Sequence, residues 1–183
     1  IAINKIRRSE RAQTSEWIEE FLKSTDVITI AMVDNGLPYA VVRNFVYDPD
    51  QKVIYLHGAR SGRTCETLLD SPMVCCTAQR MGRLLPASKA SQFSVEYSGV
   101  TIFGKAALVN DPEESYTALS KLVEKYFPQL EPEVDYMPAP KDVTQTTAVY
   151  RVNIISWSGK ENIKDDDFPG AYNFESKIDQ EQS

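Results

Sequence analysis

Short alternating runs of apolar and polar residues extend along most of this chain and predict antiparallel strands. Residues 27–33 (VITIAMV) are apolar and largely β-branched, which indicates a buried strand. The Asn35-Gly36 pair that follows is typical of a tight hairpin turn, because both residues tolerate positive φ angles. The chain is then expected to return along Tyr39–Tyr47, turn at Asp48–Asp50 and form a third strand over Val53–His57. Together these segments predict an antiparallel meander.

Three further strands are predicted later in the chain. Two of them run from Met73 to about Met81 and from Phe93 to Val109. The polar segment Gly82–Gln92 between them is expected to be a mobile connection. The last strand, Thr147–Trp157, alternates apolar with polar side chains, as a strand with one buried face does.

Three helices are predicted from apolar residues that recur at helical spacing. The first begins at a Ser15 cap, the second follows residues 58–63, and the third begins at Asp111-Pro112, where a cap precedes a first-turn proline. The apolar stripe of the third helix is expected to consist of Tyr116, Leu119, Val123 and Tyr126. Six strands and three helices predict a mainly β, α+β domain, a small closed or nearly closed antiparallel barrel with helices packed outside it.

The charge of the chain is concentrated near its C-terminal end. The 183 residues are 42% hydrophobic, enough for one sizeable core, and carry a formal net charge of −6. Residues 161–183 hold seven acidic and two basic side chains and therefore account for −5 of that charge. We expect a folded domain over residues 1–160 and an acidic tail over residues 161–183. The tail composition favours disorder, although Tyr172 and Phe174 could instead dock on a partner subunit.

Several classes of protein are excluded by composition. Proteins that bind nucleic acid through its phosphates carry a basic patch, and this composition predicts none. The sequence has no run of about 18 apolar residues, so no membrane span is predicted. The charged residues 1–11 do not resemble a secretory signal. Three cysteines, Cys75 and Cys76 adjacent, make a poor disulfide framework, and a single histidine leaves little material for a metal site. We expect a cytoplasmic protein without bound metal, membrane or nucleic acid.

Candidate chemistry is concentrated in residues 54–64 (IYLHGARSGRT). A strand ends in the only histidine, His57, and a glycine, a hydroxyl and two arginines lead directly into a helix. Backbone N–H groups at a helix start, with a glycine and a guanidinium, can bind an anion such as a phosphate. The same pattern also fits an ordinary loop with surface arginines, and His57 could be structural, with its imidazole bonded to a carbonyl. Arg43 interrupts an apolar strand and either faces solvent or lines a polar cleft.

Four segments, in this order, resemble the pyridoxamine 5'-phosphate oxidase-like, FMN-binding split-barrel superfamily. They are residues 37–48 (LPYAVVRNFVYD), 53–75 (VIYLHGARSGRTCETLLDSPMVC), 95–111 (VEYSGVTIFGKAALVND) and 155–161 (ISWSGKE). The similarity extends over residues 5–160 and is greatest to the Nim-type branch, the 5-nitroimidazole antibiotic resistance reductases. It implies a six-stranded antiparallel split barrel and a homodimer with FMN at the interface.

The resemblance also implies roles for individual residues. It places the FMN phosphate on Ser61, Gly62, Arg63 and Thr64, with Gly58 and Ala59 in the same cofactor-binding loop, and Val42, Arg43 and Asn44 along the isoalloxazine ring. His57 matches the Nim-type histidine near flavin and substrate and is the candidate catalytic residue. Three positions depart from the family: Thr64 stands where many relatives have lysine, Gly99 replaces a common serine, and Val42-Arg43 replaces a proline-valine pair.

The leading functional hypothesis is an FMN-dependent oxidoreductase. It would transfer electrons from a reduced nicotinamide or another donor to a small acceptor, such as a nitroaromatic 5-nitroimidazole. The alternative is a non-catalytic flavin- or heme-binding, redox-sensing dimer of the same fold, and a structural interaction module ranks last. The C-terminal arginine-histidine signature of true pyridoxamine-phosphate oxidases is not visible, so vitamin B6 oxidation is not expected.

Overall fold

A computed structural model describes residues 4–174. Within them the chain forms eight strands, four α-helices and two short 3-10 turns. The strands are β1 (Ala12–Gln13), β2 (Ile28–Asp34), β3 (Leu37–Arg43), β4 (Phe45–Asp48), β5 (Val53–Ala59), β6 (Met73–Leu85), β7 (Ser94–Leu108) and β8 (Thr147–Asn162). The helices are α1 (Ser15–Ser24), α2 (Arg63–Asp70), α3 (Pro112–Tyr126) and α4 (Val143–Thr146).

All eight strands belong to one antiparallel sheet, in which seven follow the order β3-β2-β6-β7-β8-β5-β4 and β1 pairs with β8. The two ends of this order, β3 and β4, are consecutive in the chain and joined only by Asn44. The sheet is therefore closed by the chain itself, which confirms the predicted α+β class and the split barrel. The single strand predicted over Tyr39–Tyr47 breaks at Asn44, and with the short β1 this break raises the count from six strands to eight.

The predicted hairpin turn is present between β2 and β3. Asn35 and Gly36 have φ angles of 50° and 81°, and the strands they connect pair from Asp34↔Leu37 to Ile28↔Arg43. Positive φ at both turn residues gives the backbone twist that matches two adjoining strands. This turn sets the register of β3 and so determines which of its side chains point into the barrel.

Two strands are longer than their polarity pattern indicated. β6 continues to Leu85 through the segment predicted to be a polar connection, because a buried carboxylate, Glu96 on β7, accepts bonds from Arg83. β8 continues past Trp157 to Asn162, whose side-chain amide donates to the Val95 carbonyl at 2.9 Å. Arg83 and Asn162 are accommodated in these strands because each has a cross-strand partner.

Helix details also differ from the prediction. The cap of α1 is Thr14, not Ser15, because the Thr14 hydroxyl accepts from the Trp17 N–H. α3 is turned so that its buried positions are Ser115, Ala118 and Leu122 rather than the predicted stripe of Tyr116, Leu119, Val123 and Tyr126. Small side chains let this helix lie close to the sheet, and the larger ones are only half-buried at its sides.

The core occupies the barrel interior, where Ile28, Ile30, Phe45, Ile54 and Ile102 are fully buried. α1 adds Ile18 and Leu22 to this cluster, and α2 adds Cys65 and Leu68. Both helices are thereby held against the sheet by apolar burial. None of the helices in residues 4–174 has the length and apolarity needed to cross a bilayer.

The segment after β8 is attached to the end of the β6–β7 hairpin. Arg83 pairs with Glu96 at 2.7 Å and also donates to the carbonyls of Lys164, Asp165 and Asp166. Further along, Tyr172 and Leu84 exchange two backbone hydrogen bonds, of 2.7 and 3.2 Å. Tyr172 and Phe174, considered above as docking residues, are largely exposed.

Candidate functional site

A cavity of about 150 Å³ lies between β3, β5 and the start of α2, with β8 as one wall. It brings together eight of the ten residues proposed as site residues, all except Val42 and Asn44. Its lining residues are Ile30, Tyr39, Arg43, Leu56, His57, Gly58, Ala59, Ser61, Gly62, Arg63, Thr64, Cys65, Leu68 and Tyr150. Segments that are distant in the sequence therefore meet here, and most of the polar groups come from residues 57–64.

Val42 and Asn44 lie outside this cavity for a simple geometric reason. Successive residues of a strand point to opposite faces, so Tyr39, Val41 and Arg43 face the barrel interior while Val42 faces outward. Val42 is 59% exposed, and Asn44 is exposed at the break between β3 and β4. Any contact of these two residues with a ligand would take place on the outer side of β3.

The first turn of α2 presents backbone N–H groups that no side chain caps. Gly62, at the cap position, has φ +97°, a conformation that other residues adopt only with strain, and a Cβ placed there would have no atom within 4 Å. Helix N-termini with free N–H groups attract anions, both by hydrogen bonding and through the helix dipole. Open space and free donors thus coincide at the start of this helix.

A hydrogen-bonded group of side chains joins β3 to this helix start. Arg43 Nη2 donates to Thr64 Oγ1 at 3.2 Å, and the Tyr39 hydroxyl shares a hydrogen bond of 3.1 Å with the same oxygen. Arg43 is half-buried and forms no ion pair within residues 4–174. Its charge is therefore not neutralised by a carboxylate in the cavity wall.

Arg63 is oriented differently, although it is also part of the cavity wall. Its Nε lies 2.6 Å from Asp34 Oδ2 on β2, and its guanidinium carbon lies 4.1 Å from the centroid of the Tyr39 ring. Arg60, the other arginine of this loop, donates to the Thr144 carbonyl outside the lining. Of the three arginines near α2, only Arg43 has an uncompensated charge in the cavity.

His57 is exposed at the rim of the cavity, near the end of β5. Its side chain makes no hydrogen bond to another residue of the described range, which argues against a structural bond to a carbonyl. The pKa of His57 is lowered, first because surrounding protein partly removes water from the imidazole and second because the Arg43 guanidinium repels a positive charge. The imidazole is therefore neutral at neutral pH, with both ring nitrogens available to a ligand.

Tyr39 and Tyr150 complete the polar lining, and reasoning from the sequence missed both. The Tyr150 hydroxyl donates to the Ala59 carbonyl at 3.3 Å and supports the loop after β5. Burial raises the pKa of Tyr150, so this hydroxyl keeps its proton. Tyr39 could have been found, since it precedes Arg43 by four residues on one strand and so shares its face. Tyr150 gave no such signal, because its contact with the loop is tertiary.

Metal binding has little support in the described part of the chain. Residues 4–174 contain no group of three or more His, Cys, Asp or Glu side chains arranged to hold an ion. The cavity instead combines a guanidinium, hydroxyls, backbone N–H groups and one imidazole. This set of donors suits a phosphorylated organic ligand.

The fold resembles several solved structures. A candidate 5-nitroimidazole antibiotic resistance protein from Bacteroides thetaiotaomicron aligns with a TM-score of 0.67 and 23% identity, over 81% of this chain and 84% of its own. The flavocytochrome Anf3 from Azotobacter vinelandii aligns with a TM-score of 0.74 and 22% identity, over 94% of this chain and 84% of its own. A FAD and heme binding protein from Mycobacterium smegmatis aligns with a TM-score of 0.75 and 16% identity, over 94% of this chain and 80% of its own. At these identities the likeness shows the fold.

Comparison of sequences gives the family. None of the curated proteins matches this chain. The family model described as pyridoxamine 5'-phosphate oxidase matches residues 14–161. This range includes β2 to β7 and all of β8 except its last residue, Asn162. This match covers well over half of the chain, and the protein therefore belongs to the pyridoxamine 5'-phosphate oxidase family.

Proposed function

We propose that this protein is a flavin-dependent oxidoreductase that binds FMN in the cavity at the start of α2 and works as a homodimer. The observation that carries the proposal is the coincidence of an uncapped helix start, the open Gly62 position and the uncompensated charge of Arg43 in one cavity. The FMN phosphate would accept from the N–H groups of α2, from the Thr64 hydroxyl and from Arg43. The residues present therefore fit the phosphate end of this cofactor.

The size of the cavity supports a dimer. Ligand pockets for cofactor-sized molecules typically enclose about 300–1,000 Å³, whereas this one encloses about 150 Å³. One chain thus offers room for the phosphate end and leaves the rest of a flavin uncovered. A second copy of the chain would supply the missing wall.

The outer face of the sheet offers a surface for that second copy. Ten positions on β3, β2, β6 and β7 point outward next to one another, and none of them carries a charge. They are Pro38, Ala40, Val42, Thr29, Ala31, Val33, Cys75, Thr77, Thr101 and Phe103. Depletion of charged residues is what distinguishes the centre of a protein interface from the remaining surface. Val42 would then meet the flavin from the outer side of β3.

Bound FMN would supply the redox chemistry, taking electrons from a reduced nicotinamide or another donor and passing them to a small acceptor such as a nitroaromatic. The chain's own residues would bind the cofactor and orient it and the acceptor. Arg43, Thr64 and the α2 N–H groups hold the anionic end, while Tyr150 holds the loop that carries Gly58 and Ala59. His57, exposed and without a side-chain hydrogen bond to another residue of 4–174, would position the acceptor or give it a proton.

A non-catalytic flavin- or heme-binding dimer is the second candidate. The same feature of His57 favours the heme form, since an exposed imidazole with no hydrogen bond within residues 4–174 would be free to hold a heme, which would supply the redox chemistry. The absorption spectrum of the purified protein separates flavin from heme, because the two absorb at different wavelengths. Acceptor-dependent turnover then separates an enzyme from a non-catalytic flavin binder.

The oxidoreductase proposal is tested by steady-state oxidation of reduced nicotinamide, with and without a 5-nitroimidazole, on wild-type and His57→Ala protein. Acceptor-dependent turnover by the wild type, and its loss in a variant that still binds FMN, are expected. Full turnover in His57→Ala would remove this residue from the mechanism. A protein that binds FMN but reduces no acceptor with any donor would contradict the oxidoreductase proposal and support the non-catalytic flavin-binding candidate.

A further inference from the structure

We propose that Arg43 is the side chain that binds the anion in this cavity, and that occupancy of this anion site determines whether His57 carries a proton. The inference rests on the proposed function only in taking the natural anion to be the phosphate of FMN. It assigns Arg43 to the anionic end of the ligand instead of to the flavin ring.

The position of Arg43 supports this role. Its Nη2 reaches Thr64 Oγ1 at 3.2 Å, which places the guanidinium beside the first turn of α2, and a single bond to a hydroxyl leaves most of its five donors free. A planar guanidinium binds a phosphate through two parallel N–H bonds, and these are stronger than bonds between neutral groups. Thr64 would then orient Arg43 and donate its own hydroxyl to the same anion.

Among the charged groups that line the cavity, Arg43 is the one whose electrostatic field affects the protonation of His57. The titratable and charged groups of the lining are Tyr39 and Arg43 on β3, His57 on β5, Arg63 and Cys65 on α2, and Tyr150 on β8. No carboxylate is among them, and Asp34 neutralises Arg63 from outside the lining. Arg43 is the one charged group that lowers the pKa of His57 in addition to burial.

Electrostatic coupling between the two residues follows from these positions. Without an anion, the Arg43 charge opposes protonation of His57, so the imidazole is neutral. A bound dianion neutralises Arg43 and adds negative potential, which favours the protonated imidazole. His57 would thus be able to give a proton when the anion site is occupied, and the empty protein would hold it neutral.

The chain contains a single histidine, so the protonation of His57 can be followed directly. Protein labelled with ¹⁵N-histidine is titrated by NMR from acidic to mildly alkaline pH at constant ionic strength, in chloride and in sulfate, which stays a dianion throughout. We expect sulfate to raise the His57 pKa in the wild type by about one unit, the lower end of the effect of one nearby charge. FMN, with binding monitored separately by flavin absorbance, is expected to act in the same direction.

Variants make the assignment to Arg43 specific. In Arg43→Gln the His57 pKa should begin higher than in the wild type and should not respond to sulfate. Arg43→Lys keeps the positive charge and should retain part of the response. It serves as the test if the glutamine variant does not fold. Arg60→Gln removes a neighbouring charge that is directed to Thr144 and should respond like the wild type.

The outcomes separate this inference from the proposed function. A His57 pKa that stays constant while sulfate and FMN bind would overturn the coupling and leave flavin binding intact. A full sulfate response in Arg43→Gln would overturn the role of Arg43. A sulfate response in a protein that binds no FMN would support the coupling and contradict the proposed function.

Discussion

The guanidinium of Arg63 is bound to the Asp34 carboxylate at 2.6 Å and lies over the Tyr39 ring at 4.1 Å. This pairing compensates one of the two arginine charges in the cavity wall. Within residues 4–174 the one side-chain hydrogen bond of Arg43 is to the Thr64 hydroxyl, so its charge stays available to a ligand. Two arginines on the same cavity should therefore contribute unequally to the binding of a phosphate.

This inequality gives the first prediction. Arg43→Gln should weaken FMN binding by about 10- to 100-fold, the range expected for loss of a charged hydrogen bond worth about 1.5–3 kcal/mol. Arg63→Gln should weaken it by less than about fivefold, since the Arg63 guanidinium is already bound to Asp34 and the backbone N–H of residue 63 remains. Titration followed by quenching of flavin fluorescence measures both, and equal losses would contradict this assignment.

Gly62 is expected to be needed for both the fold and the site. Gly62→Ala forces a residue with a Cβ to φ +97°, which should lower the free energy of unfolding by about 1–3 kcal/mol. It should also weaken FMN binding, because the added methyl group occupies space at the helix start. Gly36→Ala is the matched control, with φ +81° and the same open surroundings in the β2–β3 turn. It should cost similar stability in a denaturant titration and leave FMN affinity unchanged.

A charge on the outer face of the sheet should disrupt the proposed dimer. Ala40→Glu places a carboxylate among uncharged neighbours, and burying it in an interface would leave it without a partner. The variant should elute as a monomer in size-exclusion chromatography with light scattering and should bind FMN more weakly. Val134→Glu introduces the same charge at an apolar side chain that is 76% exposed in another part of the molecule, and this variant should remain dimeric. A monomeric wild type, or a dimeric Ala40→Glu protein, would contradict this interface.

The Arg83–Glu96 pair makes a prediction about pH. Bonds from Arg83 and the Lys164 N–H hold the pKa of Glu96 at about 2, below its ordinary value of 4.5. A carboxyl with a lowered pKa stabilises the folded state above its unfolded pKa, and this contribution is lost as pH falls from about 4.5 towards 2. Glu96→Gln should therefore lower the thermal midpoint by a few degrees at pH 7 and by less at pH 3. An equal decrease at both pH values would assign the effect to packing alone.

Local signals in the sequence predicted a large part of the fold. The Asn35-Gly36 turn was predicted correctly because its conformation depends on two adjacent residues. The break at Asn44 was not, since β3 and β4 separate only because each pairs with a different strand. The continuation of β6 through Arg83 likewise depends on Glu96, a partner 13 residues away.

In the candidate site, too, the sequence predicted what depends on neighbouring residues and missed what depends on tertiary contacts. Residues 57–64 are contiguous, so their presence in one cavity follows from a strand that leads into a helix. The resemblance implies that Arg43 lines the flavin ring, whereas its hydrogen bond to Thr64 is a tertiary contact across 21 residues that no local pattern encodes. The contacts of Tyr150 with Ala59 and of Asp34 with Arg63 join β8 and β2 to the loop, and no local pattern encodes either.

The most direct test of the central claim compares the affinities of FMN and riboflavin, which differ only in the phosphate. Both are titrated into the wild-type protein at the same ionic strength and followed by flavin fluorescence. The proposed site predicts saturable binding of FMN at least about tenfold tighter than that of riboflavin, because Arg43, Thr64 and the α2 N–H groups bind the phosphate. Equal affinity for the two flavins, or no saturable binding of FMN, would contradict it.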